Sequence, residues 1–167
     1  AGIKRVVYGA LDPNPLVSGK GIEALKSAQI VVEAIKNPRL TTKALMLMKP
    51  FTKWMVQKRP YVVIKIATSR DGKIAHQPGL RTKITNQNSD LVVHTLRTCV
   101  DGVMVGKNTT IIDNPQLTAR LVETDHQPVR IVLDTHLECS PTLDIFDTRY
   151  AKTMLLTSEQ AVLSKKT

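Results

Sequence analysis

The sequence has no apolar run approaching the roughly 20 residues that a membrane-spanning helix requires, and no charged start followed by a greasy segment. Neither a membrane protein nor a secreted one is expected. Only two cysteines occur, Cys99 and Cys139, far apart in the chain, which excludes a Cys-x-x-Cys metal pair and a disulfide framework and fits a reducing cytoplasm. Aromatic residues are scarce as well. The six (Tyr8, Phe51, Trp54, Tyr61, Phe146 and Tyr150) do not interleave with basic residues as platforms for single-stranded nucleic acid do. What is present is the composition of a folding globular chain: 167 residues, 42% hydrophobic and 23% charged. The formal charge of +10 is unevenly spread. Residues 1–58 hold ten Lys or Arg against Asp12, Glu23 and Glu33, a net of +7, while residues 59–167 hold fourteen against eleven, a net of +3. With no accompanying motif, this excess does not make nucleic acid the expected partner.

Along the chain, the β-branched run Ile3 to Gly9 reads as a strand ending at the Asp12-Pro13-Asn14-Pro15 loop. A helix follows around Ile22 and Leu25, then a second strand at 30–33. Residues 38–58 predict an irregular basic helical connector that Pro50 should kink or end. A new unit is expected from residue 59: YVVIKIATS (61–69) as a buried strand, with a turn at Arg70 to Lys73. Thr85 is placed to cap a helix over NQNSDLVVHTLRT. Strands are then expected at 100–105, 129–134 and 153–156, with a short helix between Gly106 and Asp113 and a capping box at Thr157 and Gln160 opening a terminal helix. Strands alternating with helices argue for an α/β fold with a mostly parallel sheet.

Ligands of such sheets collect beyond the carboxyl ends of the strands. Polar residues stand there: Thr68, Ser69 and Asp71; Gly106 to Thr110; Asp134 and Thr135; Thr157 and Ser158. Lys65, inside an apolar run, requires either a pocket to face or an exposed edge, because burying an unpaired charge is costly. Asp71 in Ser-x-Asp-Gly-Lys reads as a turn former rather than a catalyst.

Several phrases in order, AGIKRVVYGALDPNPLVSGKGIEALKSAQI, RPYVVIKIATSRDGKIA, LRTCVDGVMVGKNTTIIDNPQLTAR and PVRIVLDT, resemble the bifunctional riboflavin-biosynthesis deaminase/reductases of bacteria. The resemblance spans residues 1 to about 135. It implies the C-terminal part of a cytidine-deaminase-like domain with a basic connector over 1–58, then the N-terminal part of a dihydrofolate-reductase-like domain over 59–167. The implied reaction is NADPH-dependent reduction of the ribosyl group of 5-amino-6-(5-phosphoribosylamino)uracil to ribityl. Carried over by position, Lys65 and Asp113 are catalytic candidates, and Ala67, Thr109, Asp113 and Thr135 cofactor contacts. Arg97, Leu117 and Arg120 match substrate positions, and forked guanidinium donors suit a phosphate. Read without the resemblance, Arg97 is a solvated helix arginine, Arg120 a loop salt bridge, and Asp113 a helix-end or Asx-turn residue before Pro115.

The deaminase chemistry of that family needs His-x-Glu and Pro-Cys-x-x-Cys to hold zinc, and neither occurs in these 167 residues, so no metal ligand is assigned. The family's Gly-rich cofactor segment is also not found here. This piece alone is therefore expected to be inactive, and a sheet lacking strands favours association, which makes a homodimer the expected assembly. Where the family has a serine and a tryptophan before Ile-Thr, this chain has Arg81 and Lys83, so those two roles are not carried over. Pro50 stands where the family's interdomain helix tends to have glycine. The alternatives are a non-catalytic basic module binding RNA or another polyanion through residues 1–58, and a different pteridine-type reductase of the same fold.

Overall fold

A computed structural model describes residues 2–164. The chain divides into two compact units, residues 1–65 and 66–167. In the first, β1 (Arg5–Tyr8) pairs in parallel with β2 (Val31–Ala34), and α1 (Lys20–Ser27) is the crossover between them. Gly9 follows β1 directly; a Cβ there would lie 2.7 Å from the Ala44 side chain, so glycine is what lets the next helix approach. That helix, α2 (Pro38–Gln57), is capped by Asn37, whose side chain accepts from the Arg39 and Leu40 amides.

Of the kink or end expected at Pro50, the end does not occur: α2 runs through it to Gln57. Proline removes one N–H and so frees the carbonyl one turn back, that of Met46, but Met46 is exposed and water can take that carbonyl.

In the second unit α3 (Gln87–Thr98) leads to β3 (Gly102–Gly106), α4 (Lys107–Asp113), β4 (Val129–Leu133), a 3-10 turn (Asp144–Phe146), β5 (Thr153–Leu156) and α5 (Glu159–Ser164). The sheet is wholly parallel in the order β3-β4-β5, with Val103 opposite Arg130 and Arg130 opposite Thr153. The α/β architecture with parallel strands read from the sequence is the one observed. Two caps sit one residue later than expected. Asn86, not Thr85, caps α3 through the Ser89 amide, and Ser158, not Thr157, accepts from the Ala161 amide in α5. In both places the expected residue lies too far from the first turn, and Thr157 instead donates to the Thr135 carbonyl.

The larger correction concerns residues 61–69, which form no strand. Val62, Val63, Ile64 and Ile66 are 61 to 79% exposed. A β-branched run becomes a strand only when another backbone accepts its ladder, and no described strand pairs with this one. The turn after it does form: Gly72 adopts the left-handed conformation, its amide reaches the Ser69 carbonyl, and Ser69 Oγ donates to Asp71 Oδ1.

The core is small: Leu117, Val132 and Ile145, with Val103, Val105, Cys139, Leu143 and Phe146 packed around them. Through it passes Arg130, fully buried in the middle of β4. Its Nη1 donates to the carbonyls of Gln116 and Asp144, and its Nη2 to those of Asp147 (2.9 Å) and Ala151 (2.6 Å). One side chain thus ties the loop after α4, the 3-10 turn and the approach to β5 to the central strand. Arg130→Met keeps the bulk but strands those buried carbonyls. It is expected to cost about 3 kcal/mol or more, read as a lower midpoint in urea. A midpoint unchanged from the parent would contradict this role.

Candidate functional site

The carboxyl ends of β3 and β4 carry one group of candidate residues. Gly106 ends β3, and α4 starts at once, placing Thr109 with its side chain exposed and Asp113 half-buried at the helix end. Thr110, one residue from Thr109, is fully buried and donates to the Gly106 carbonyl, fixing the helix against the strand end. After β4, Asp134 is fully buried and Thr135 exposed. Burial would raise the Asp134 pKa, but the amides of Cys139, Glu138 and His136 and the Cys139 thiol outweigh it, and the carboxyl is held below its ordinary value. The Asp134 Oδ2 to Cys139 N contact is 2.8 Å, so the chain from 135 to 139 is wound around a buried anion. The same arrangement pushes the Cys139 thiol pKa up to about 11, chiefly through burial and the Asp134 hydrogen bond. The Thr135 carbonyl accepts from the Ser158 and Thr157 hydroxyls, linking the ends of β4 and β5.

The second group lies between α3 and residues 117–121. Arg97 Nη1 donates to the Thr118 carbonyl at 2.8 Å. Leu117 sits in the left-handed region (φ 54°) with its side chain in the core, so its main chain, not its side chain, borders the site. The next residues are held by Gln127, which accepts from the Ala119 amide and donates to the Ala119 carbonyl. His94 lies one turn before Arg97 and is buried; its Nδ1 accepts from the amides of Arg120 (2.9 Å) and Leu121 (3.2 Å). An accepting Nδ1 puts the ring proton on Nε2, so the 3.5 Å approach of Arg97 Nη1 to Nε2 is a contact between two donors.

Arg97 and Arg120 are therefore neighbours. Burial and then the Arg120 charge depress the Arg97 pKa, with Asp90 opposing. Among the described residues the Arg97 guanidinium has no carboxylate partner, and the Arg120 side chain, exposed, makes no hydrogen bond. Two adjacent cations with open donors form a ready receptor for an anion.

Ala67 is joined to neither group by a described contact, and Lys65 belongs to the other unit. Lys65 is exposed at the end of the first unit, and Ala67, half-buried, opens the second; with no strand there, the shared face expected from strand alternation does not exist. Lys83, which could have faced a phosphate, is paired with Asp90 at 2.8 Å. A groove of about 580 Å³ runs along α2 from Thr42 to Tyr61 and includes none of the candidate residues. Among the described residues no group of three or more His, Cys, Asp or Glu could hold a metal ion, and no helix is long and apolar enough to cross a membrane. His94, Thr118 and Gln127 were not singled out from sequence. The one available signal was the His-x-x-Arg spacing, which sets His94 and Arg97 on one helix face.

The family model described as the RibD C-terminal domain matches residues 60–167. The chain belongs to the RibD C-terminal domain family. It is 42% identical over 99% of its length to the riboflavin biosynthesis protein RibD of Aquifex aeolicus, and 39% identical over 99% to that of Bacillus amyloliquefaciens. It spans 46% and 44% of those proteins, under half of each. Among solved structures, a diaminohydroxyphosphoribosylaminopyrimidine deaminase/5-amino-6-(5-phosphoribosylamino)uracil reductase from Thermotoga maritima superposes with a TM-score of 0.82. It is 38% identical, over 96% of this chain and 44% of that one. RibD of Acinetobacter baumannii gives 0.77 at 32% identity, over 97% of this chain and 46% of that one. The RibD resemblance drawn from the sequence phrases is thus the family observed, and its match extends past residue 135 to the end of the chain.

The histidine of this RibD-family site has a defined pH signature. Burial first, then the charges of Arg97 and Arg120, lower the His94 pKa from its ordinary 6.5, with Asp90 opposing. The unfolded chain takes up that proton near 6.5 while the folded chain resists it. The His94 contribution is therefore complete above about pH 6.5 and erodes as the pH falls below it. Urea denaturation at pH 7.5, 6.5 and 5.5 is expected to show falling stability, and His94→Asn, which cannot titrate, a shallower slope. Equal slopes in the two proteins would contradict a neutral, doubly accepting His94.

Proposed function

We propose that this chain is the reductase-bearing portion of a bifunctional riboflavin-pathway enzyme that reduces the ribosyl group of 5-amino-6-(5-phosphoribosylamino)uracil to ribityl with NADPH. Residues 59–167 form on this reading the N-terminal part of the reductase domain. Residues 1–58 form the end of a deaminase domain whose zinc site belongs to other parts of the protein. The observation that carries the reading is that α3 and the 118–121 segment bring Arg97 and Arg120 together, Arg97 Nη1 on the Thr118 carbonyl and the Arg120 amide on His94 one turn earlier, with neither guanidinium in an ion pair among the described residues.

In this assignment Arg97, Arg120 and the main chain at Leu117 bind the substrate phosphate and orient the ribosyl group. Arg97, already braced on the Thr118 carbonyl, offers the other side of its fork, and Arg120 closes from the facing loop. Thr109, Asp113 and Thr135 are the cofactor contacts on this reading. The residues present fit a dinucleotide: Thr109 and Thr135 present exposed hydroxyls beyond strand ends, and the space beside Gly106 is open, since a Cβ added there meets nothing within 4 Å. NADPH, when bound, supplies the hydride. Asp113 would orient the carboxamide of the nicotinamide or handle a proton. The substrate on this reading is a small phosphorylated pyrimidine.

The test is NADPH oxidation, followed by absorbance, in the protein encoded by the complete reading frame. The parent should turn over with the phosphoribosylaminouracil. Arg97→Gln and Arg120→Gln should each raise its KM by about tenfold or more, with the KM for NADPH little changed. Turnover by neither parent nor variants, in a folded protein, would overturn the assignment.

A further inference from the structure

His94 holds its place through interactions that no step of the proposed reaction uses. It is 5% exposed, lies on α3, and receives two consecutive backbone amides from a segment 26 and 27 residues away in sequence. Those amides belong to Arg120 and Leu121, so the ring fixes the backbone from which the Arg120 side chain departs. Arg97 leaves the same helix one turn later and reaches the Thr118 carbonyl, two residues before Arg120. The helix and the loop are therefore joined at two points, His94 to 120–121 and Arg97 to 118.

Both joints are needed to hold two like charges together. Arg97 and Arg120 are like charges; burial first, and then Arg120, hold the Arg97 pKa down. Gln127 secures the loop at Ala119 by two hydrogen bonds, but does not touch the 120–121 amides that His94 accepts. Without the His94 acceptor, the 120–121 amides would turn to water and Arg120 would swing away from Arg97. A forked anion site depends on the spacing of its donors, and displacement of about 1 Å can cost a hundredfold.

We propose that His94 is a positioning residue for the substrate phosphate, setting the spacing of Arg97 and Arg120 by accepting the Arg120 and Leu121 amides through Nδ1. The inference rests on the assignment of that arginine pair to substrate. Its ring touches neither substrate nor cofactor; it acts through the main chain of residue 120. The requirement is for an unprotonated acceptor at the Nδ1 position and for nothing else of the imidazole. Asparagine supplies such an acceptor, because its Oδ1 occupies the place of Nδ1; glutamine extends past it, and leucine offers none.

The experiment compares His94→Asn, His94→Gln and His94→Leu with the parent, each in the protein encoded by the complete reading frame. Two measurements are made: steady-state kinetics with both substrates, and calorimetric binding of ribose 5-phosphate as an isolated phosphate probe. His94→Leu and His94→Gln should raise the substrate KM and weaken ribose 5-phosphate by roughly tenfold or more, while the KM for NADPH stays within about twofold and His94→Asn recovers most of the loss. If His94→Leu fails to fold, the Asn and Gln pair alone decides. Equal effects of Asn and Gln, or a change in both KM values together, would overturn the positioning role. A parent protein that binds ribose 5-phosphate with the expected variant order but has no turnover would instead remove the reductase assignment and leave the role of His94 standing.

Discussion

A guanidinium withdrawn from water must find acceptors for its N–H groups, and in this protein the acceptors of Arg130 are main-chain carbonyls from separate segments of irregular chain. Gln116, Asp144, Asp147 and Ala151 all turn their oxygens toward it, and only Nε is left without a partner among the described residues. No carboxylate bonds to it directly. Asp147, whose pKa lies near 2 chiefly because Arg149 grips its oxygens, offsets the buried charge from a distance. A few apolar residues could not organise so much irregular chain by packing alone. The core of Leu117, Val132 and Ile145 is formed from the same segments that Arg130 collects, so apolar burial and the polar hub stabilise one arrangement together.

The consequence for function runs through the loop after α4. Asn114 takes the left-handed conformation at the helix end and accepts from the Asp144 amide. Leu117 is left-handed too, at a cost of about 1–2 kcal/mol that its burial in the core offsets. Once Gln116 is tied to Arg130 and Leu117 is anchored, the chain from 118 to 121 can only run along α3. There Arg97, His94 and Gln127 take its remaining polar groups in turn. The anion receptor is thus the far end of a chain of constraints that begins in the middle of β4. A similar economy works at the strand ends, where buried Asp134 shapes residues 135–139 and the Thr135 carbonyl gathers the residues after β5.

What could be read from the sequence divides along physical lines. The strands β3, β4 and β5, the helices α3 and α4 and the parallel pairing were legible because local periodicity and the alternation of elements report them directly. Residues 61–69 misled for the opposite reason: YVVIKIA has strand composition, but a strand is a pairing, and composition is silent about the partner. That α2 runs through Pro50 rather than ending there was not legible, because the penalty depends on whether water can reach the Met46 carbonyl. At the site, Arg97 and Arg120 were marked only by the resemblance of their phrases to RibD proteins; nothing local says that residues 23 apart share one anion. His94 escaped notice because its acceptor role exists only once the 117–121 segment is folded against α3, and Arg130 was hidden inside what reads as an ordinary buried strand.

The central claim is that Arg97, Arg120 and the loop that joins them make a phosphate receptor. Titration of the isotopically labelled protein with ribose 5-phosphate, followed by amide and arginine side-chain resonances, tests it most directly. The account predicts saturable shifts at Thr118 to Leu121 and at the Arg97 and Arg120 guanidinium groups, with the lysines of α2 unaffected. Shifts confined to the basic residues of 1–58, or none at the two arginines at saturating ligand, would contradict it.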